Sequence, residues 1–294
     1  MAYTLTEIAD RLQQNLSRQI GKSGMMFRLF GRVKTIDSIR HKIEVKSDKY
    51  RAGKAKLQDI IGLRIVVYFP DDVEILSTYF GCGDVVKESI DTPDDATFRP
   101  QRLNITRSLP QEYEQDFRNA LPEEYSAMID ATYEIQIRTI FSEGWHEVEH
   151  DLRYKCKDEW IGYEQQSRAL NGVIATLETA EWTIKSLFQD MARENLLRNN
   201  YASMLRNKMR IRLQSEGFSA QVADYINARP DIMRRFLDSD RMVILLTLII
   251  HAADLPRSYD NILFLVNRIE IDDSGLMALE DEQTRRAIDL LLES

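Results

Sequence analysis

A carboxylate, an amide and a guanidinium fall at alternate positions at the start of Tyr133–Lys155, YEIQIRTIFSEGWHEVEHDLRYK. As a strand, this segment sends Glu134, Gln136 and Arg138 to one face and Ile135 and Ile137 to the other. From Thr139 the pattern becomes helical, and Ile140, Trp145, Val148 and Leu152 form its expected apolar stripe. Glu143, Glu147, His150 and Tyr154 follow at steps of three or four and share another face. Charged groups set this regularly against a strand describe a site. The same residues offer a second chemistry. His146-Glu147-Val148-Glu149-His150 satisfies H-E-x-x-H, in which two histidines one turn apart bind zinc and the glutamate activates water. That reading needs a third ligand, for which Glu164, Glu178 and Glu181 are the acids available.

A second group of candidates is cationic. Between Lys22 and Arg64 there are twelve Lys and Arg against four Asp and Glu, so this segment carries +8 and leaves −16 to the rest of a chain whose net charge is −8. A compact basic segment in an acidic chain suits one anionic ligand held locally, whereas the overall charge disfavours broad nucleic-acid binding. Thr35 can cap a helix beginning near Ile36. Lys34, Ser38 and Lys42 then share one face near that helix's positive end, which makes a polyphosphate cradle without a glycine-rich loop. Neither G-x-x-x-x-G-K-[ST] nor G-x-G-x-x-G occurs. Ile60–Phe69, IIGLRIVVYF, reads as a buried strand opened by Asp59 and interrupted by Arg64. An acid at that strand's end, in line with Glu134 on a neighbour, is an arrangement that holds Mg²⁺ against phosphate oxygens.

The elements that must position these groups follow from pattern and composition. The chain has 294 residues, 44% hydrophobic and 29% charged, enough for one large or two modest domains. Cys82 and Cys156 form neither a disulfide framework nor a metal knuckle, a usage suited to the cytoplasm. MAYTLTEIADRL lacks the layout of a signal peptide, and the longest apolar run, Met242 to Ala253, is too short to span a bilayer. An amphipathic helix is expected over Thr4–Ile20. Beyond Lys157 the pattern is helical, with a long helix over Ala169–Met191, another ending near Gly217, and shorter ones punctuated by Pro230, Pro256 and Gly275.

Taken together, R-x-K-x-x-x-S-x-x-x-K at Arg32–Lys42, D-I-x-G-x-R at Asp59–Arg64, and E-I-Q-I-R-T with E-x-W and H-x-x-x-x-K at Glu134–Lys155 resemble the synthetase domain of the RelA/SpoT alarmone synthetases, in its small, synthetase-only form. The resemblance displaces the zinc reading. It implies an α+β fold, a nucleotidyltransferase-like mixed β-sheet flanked by helices with an all-helical C-terminal extension. The corresponding divisions are an N-terminal helix over 1–21, a core over 22–157 and a helical region over 158–294. It also implies transfer of the β,γ-pyrophosphate of ATP to the 3′-hydroxyl of a guanosine nucleotide, with release of AMP. On that basis Arg32 and Arg64 embrace the adenine, Lys34, Ser38 and Lys42 hold the ATP phosphates, Asp59 binds Mg²⁺, and Glu134 binds the metal or takes the proton. Gln136, Arg138, His150 and Lys155 shape the acceptor side or support the metal site. The chemistry asks only for alignment, charge neutralisation and removal of one proton.

One departure concerns the acceptor. The family's loop resembling N-G-Y-x-S-L-H is missing, since no glycine occurs between Gly83 and Gly144. Thr97-Phe98-Arg99-Pro100-Gln101-Arg102-Leu103-Asn104-Ile105 stands in its place, where Phe98 offers an aromatic face and Arg99, Arg102 and Asn104 offer charge and hydrogen bonds. A plain turn into a strand is the alternative there. The acceptor is accordingly a guanosine nucleotide by default, with an adenosine nucleotide, a tRNA 3′ end (a toxin-like activity) or a catalytically silent nucleotide-binding module as alternatives. His251-Ala252-Ala253-Asp254 is not the adjacent His-Asp pair of the family's hydrolase domain, so synthesis without hydrolysis is expected. The helical region is expected to serve as a homo-oligomer interface or to receive a regulatory partner.

Overall fold

The computed structural model describes residues 3–91, 102–251 and 254–293. Two compact units divide the chain. One comprises Met1–Ser17, Phe27–Tyr68 and Leu76–Thr179, the other Arg18–Met26, Phe69–Ile75 and Ala180–Ser294. The fold class is α+β, with a five-stranded mixed sheet flanked by helices and a large helical C-terminal part.

The sheet of the first unit contains β1 (Phe27–Val33), β2 (Ile61–Val67), β3 (Val85–Asp91), β4 (Arg102–Ser108) and β5 (Thr132–Thr139), in the order β1-β2-β5-β4-β3. Only β2 and β5 run parallel. Leu63, Ile65, Ile105, Ile135 and Ile137 are fully or almost fully buried, as β-branched and aliphatic residues on one pleated face should be. The opposite face keeps the polar positions, and register lines them up: Phe30 opposes Arg64, Arg64 opposes Gln136, and Gln136 opposes Asn104. One residue-pair further on, Arg32, Gly62, Glu134 and Thr106 form the next row. A period of two therefore builds a floor of charged groups on an apolar layer.

Helix α1 (Leu5–Lys22) buries Ile8, Leu12 and Leu16, and Gln13 donates its amide to the Leu29 carbonyl of edge strand β1. Helix α2 (Ile36–Val45) begins where the sequence places it, with the Thr35 hydroxyl accepting from the Ser38 amide. The helix Ile140–Glu149 is capped in the same way by Thr139.

Three expectations are corrected. The β2 strand starts at Ile61, so Asp59 lies two residues before it, in the approach held by the Leu57–Ile129 bridge. The stripe on the 140–149 helix is displaced: Ser142, Trp145 and His146 are buried, while Val148 and Leu152 are 47% and 63% exposed. Trp145 sets that rotation by donating its indole N–H to the Leu170 carbonyl, and Arg153 follows it by bonding Ser167 and Asn171. A five-residue π turn, His150–Tyr154, then continues the helix.

In the second unit, the helix expected to reach Gly217 ends at Met209, because Arg210 turns left-handed (φ 49°). The side chain of Arg210 pays for that conformation with an ion pair to Asp71 and a face over the Phe69 ring. Helices Ala220–Ala228, Arg241–Ile250, Tyr259–Val266 and Glu282–Leu292 each start at a Ser or Asp that caps the first turn. The apolar run from Met242 supplies core, with Ile244, Leu245, Leu248 and Ile249 all buried. Among the described residues no helix is long and apolar enough to cross a membrane.

Candidate functional site

The polar face of the sheet floors a cleft of about 580 Å³ in the first unit. Phe30, Arg32, Arg64, Asn104, Gln136 and Arg138 supply the floor, and His146, Glu147, His150, Tyr154 and Lys155 the wall.

One cluster is built at the entry to β2. The Lys34 amide donates to the Ile60 carbonyl at 2.8 Å, which extends the β1–β2 ladder and sets its side chain beside Asp59. Lys34 Nζ and Lys42 Nζ both donate to Asp59 Oδ2, at 2.8 and 2.7 Å. Lys34 precedes the α2 cap and Lys42 lies within the helix, which brings the second ammonium to the same oxygen. Asp59 Oδ1 is buried and has no hydrogen-bond partner among the described residues. Burial pushes the Asp59 carboxyl up, but the hydrogen bonds and charges of Lys34 and Lys42 outweigh it and hold the group below its ordinary value. Ser38 faces Thr35 instead, hydroxyl to hydroxyl at 2.8 Å.

A second cluster crosses from sheet to helix. Arg64 donates Nε to Gln136 Oε1 at 3.1 Å and Nη1 to Glu143 and Glu147, each at 2.5 Å. Gln136 passes its amide on to Glu134 Oε1 at 2.5 Å, and Arg138 joins Glu143 from the other side at 2.9 Å. Glu134, Gln136, Arg64, Glu143 and Arg138 thus form one connected chain. The Nε and Nη1 edges of the Arg64 guanidinium are thereby engaged. Arg32 lies across Gly62, where a methyl group would meet its side chain at about 3.5 Å.

The wall carries a column of rings. His146 stacks on His150 at 5.6 Å and His150 on Tyr154 at 5.7 Å, with Lys157 Nζ 4.4 Å from the Tyr154 centroid. The two histidines of the H-E-x-x-H match lie ring on ring, and Glu147 is held by Arg64. Among the described residues no group of three or more His, Cys, Asp and Glu is placed to hold a metal. Lys155 and His150 both bond Asp151, and lower its carboxyl.

The candidates are spread along the parallel β2–β5 pair: Asp59 precedes its first residues and Glu134 lies near that end, whereas Arg138 pairs with Val66 near the other end and His150 and Lys155 follow it; no hydrogen bond or ion pair joins Asp59 to Glu134 among the described residues. Asn104 stands on the floor with its Oδ1 buried and, among the described residues, without a partner. Arg102 opens β4, though its side chain is not among those described, and Phe98 lies outside the described residues. Pattern reading passed over Phe30. The signal for it was there, since RLFGR puts a large apolar residue between the arginines of the outward face of β1.

A family profile described as "Region found in RelA / SpoT proteins" matches residues 31–159, which contain both clusters and the whole cleft wall. This match, over less than half of the chain, is a likeness of residues 31–159 to that region. The GTP pyrophosphokinase YjbM of Bacillus subtilis (strain 168) is 34% identical over 127 residues, covering 42% of this chain and 55% of that protein. The chain therefore spans about half the length of this curated relative. Among solved structures, small alarmone synthetase 1 from B. subtilis aligns at 23% identity over 61% of this chain and 89% of that one, with a TM-score of 0.43. A GTP pyrophosphokinase family protein from Streptococcus pneumoniae aligns at 23% identity over 62% and 86%, with a TM-score of 0.44. At these scores the solved structures carry no argument, and the likeness rests on residues 31–159.

Proposed function

We propose that the cleft transfers the β,γ-pyrophosphate of ATP to the 3′-hydroxyl of a guanosine nucleotide, releasing AMP and leaving a pyrophosphorylated nucleotide. The observation that carries this reading is the Asp59 cluster, where two ammonium groups share one carboxylate oxygen and the other oxygen is buried with no partner among the described residues. An unpaired buried carboxylate oxygen is costly unless a cation completes it. The residues fit Mg²⁺, a hard cation that prefers carboxylate and phosphate oxygens, with Asp59 and Glu134 as its holders. Bound there, it supplies charge neutralisation for the transferred group.

In this reading Lys34 and Lys42 turn part of their charge to the ATP phosphates, with Ser38 as a further donor at the α2 N-terminus. Arg32 and Arg64 take the adenine on their faces. Glu134, oriented by Gln136, accepts the proton of the attacking hydroxyl. The 3′-oxygen bonds to the β-phosphorus, the bond from that phosphorus to the α–β bridging oxygen breaks, and that oxygen leaves on AMP. Asn104 Oδ1 is an acceptor awaiting a donor, which a guanine ring N–H or exocyclic amine provides. Gln136, Arg138, His150 and Lys155 line the same side, and Phe98 and Arg102 belong to it by sequence. The name of the curated relative supports the guanosine acceptor.

Chromatography of labelled ATP incubated with GDP, GTP, ADP and uncharged tRNA tests the proposal. AMP together with a pyrophosphorylated guanosine nucleotide is expected, and Asp59→Ala or Glu134→Ala should abolish both. A labelled adenosine nucleotide or tRNA end would change the acceptor. ATP left intact with every acceptor would overturn the transfer. Growth arrest on expression, relieved by Glu134→Ala, would mark a toxic product.

A further inference from the structure

The wall of the cleft carries two cationic donors that one carboxylate already holds. His150 and Lys155 both line the cleft, and the π turn between them closes with the Lys155 amide donating to the His150 carbonyl at 3.1 Å, which brings residues five apart to one end of the wall. Asp151, on the same turn, reaches both. Its Oδ1 accepts from Lys155 Nζ at 2.6 Å and lies 2.9 Å from His150 Nδ1. The Lys155 ammonium, and after it the His150 ring, hold this carboxyl below its ordinary value, so it is anionic at neutral pH. The other acids of the wall are engaged with arginines, Glu147 with Arg64 and Glu149 with Arg153. Among the described residues Lys155 forms no ion pair besides the one with Asp151.

We propose that Asp151 competes with the 5′-phosphates of the acceptor for Lys155 and His150, and so limits how much each added phosphate contributes to acceptor affinity. This deepens the proposed function and rests on its placing of His150 and Lys155 on the acceptor side. In that reading Glu134 receives the 3′-hydroxyl. Arg138 lies four residues further along β5, about 13 Å at the rise of a strand, and shares the cleft with His150 and Lys155. That separation suits the 5′-phosphates of a nucleotide whose 3′-oxygen reacts. Arg138 is 4% exposed and bonded to Glu143, whereas Lys155 and Asp151 are 57% and 53% exposed. An ion pair open to water changes partners at little cost, which makes Lys155 the donor that an incoming anion can take. A phosphate arriving there displaces the Asp151 carboxylate or bears its repulsion. An uncharged 5′ end meets neither.

The test is calorimetric binding of guanosine, GMP, GDP and GTP to the full chain and to Asp151→Asn, each saturated with a non-hydrolysable ATP analogue so that the donor site is filled. Guanosine should bind both proteins alike, whereas GDP and GTP should bind Asp151→Asn about two- to fivefold more tightly, the effect of one exposed charge pair. High salt should shrink that gain, and the affinity of the ATP analogue itself should not move. In a Lys155→Met background the same substitution should gain less, because the cation that the carboxylate occupies is gone. Unchanged affinities across the series overturn the proposal. An equal gain for guanosine, or an undiminished gain in Lys155→Met, overturns it as well. A chain that binds no member of the series overturns it together with the guanosine acceptor. Product analysis of the unsubstituted protein is a separate readout. If the series responds to Asp151→Asn but no AMP is released, the transfer reading ends and the role of Asp151 stands. If AMP and a pyrophosphorylated guanosine nucleotide appear but the series does not respond, this inference alone fails.

Discussion

Asp59→Asn is the substitution that tries the cluster of Lys34, Lys42 and Asp59 most severely. Both lysine nitrogens sit on Oδ2, at 2.8 and 2.7 Å, so the two ammonium groups are no further apart than about 5.5 Å. At that separation, with an effective dielectric of about 20, two unit charges repel by roughly 3 kcal/mol. The carboxylate cancels this in the native protein, and the amide cannot. Lys34, Lys42 and Asp59 retain 16%, 29% and 23% exposure, so water takes up part of the strain and about 2 kcal/mol of destabilisation is expected. Urea unfolding at neutral pH should show that loss, together with a weaker acid dependence. The Asp59 carboxyl is held below its unfolded value, so its stabilisation is present above the ordinary aspartate range and lost as pH falls through the folded value. Asp59→Asn should remove this component. Adding Lys34→Met should recover part of the loss, because one of the two opposed charges is gone. An Asp59→Asn protein as stable as the parent, or a Lys34→Met effect that simply adds to it, would refute the reasoning.

Glu143 takes Arg64 and Arg138 and is 15% exposed, whereas Glu147 takes Arg64 alone and is 52% exposed. Glu143→Gln should therefore cost about 2–4 kcal/mol in urea unfolding and Glu147→Gln under about 1 kcal/mol. Gln136→Leu should lower kcat by about 10- to 100-fold with a smaller change in donor KM, since it frees Glu134 from its orienting amide. In the second unit Asp72 is fully buried and paired with Arg241 at 2.7 Å. Arg241→Met should destabilise that unit by about 3–5 kcal/mol, read by thermal unfolding, because it strands the carboxyl in a place whose burial already raises its proton affinity.

What could be read from the linear chain is whatever depends on near neighbours. The alternation of YEIQIRT determined which face of β5 carries Glu134, Gln136 and Arg138, and Thr35 determined where α2 begins. Both follow from backbone geometry with a period of a few residues. The motif order likewise brought Asp59, Glu134 and the lysines into one proposal. Only the tertiary structure decided their partners. Lys34 and Lys42 lie 25 and 17 positions from Asp59, and Arg64 meets Glu143 and Glu147 across 79 and 83. The rotation of the 140–149 helix, set by Trp145 and Leu170, put Val148 and Leu152 outside, against the stripe expected from spacing. The same holds for Phe30. Its place beside Arg64 comes from strand register, and register is a property of two strands at once that neither sequence contains alone.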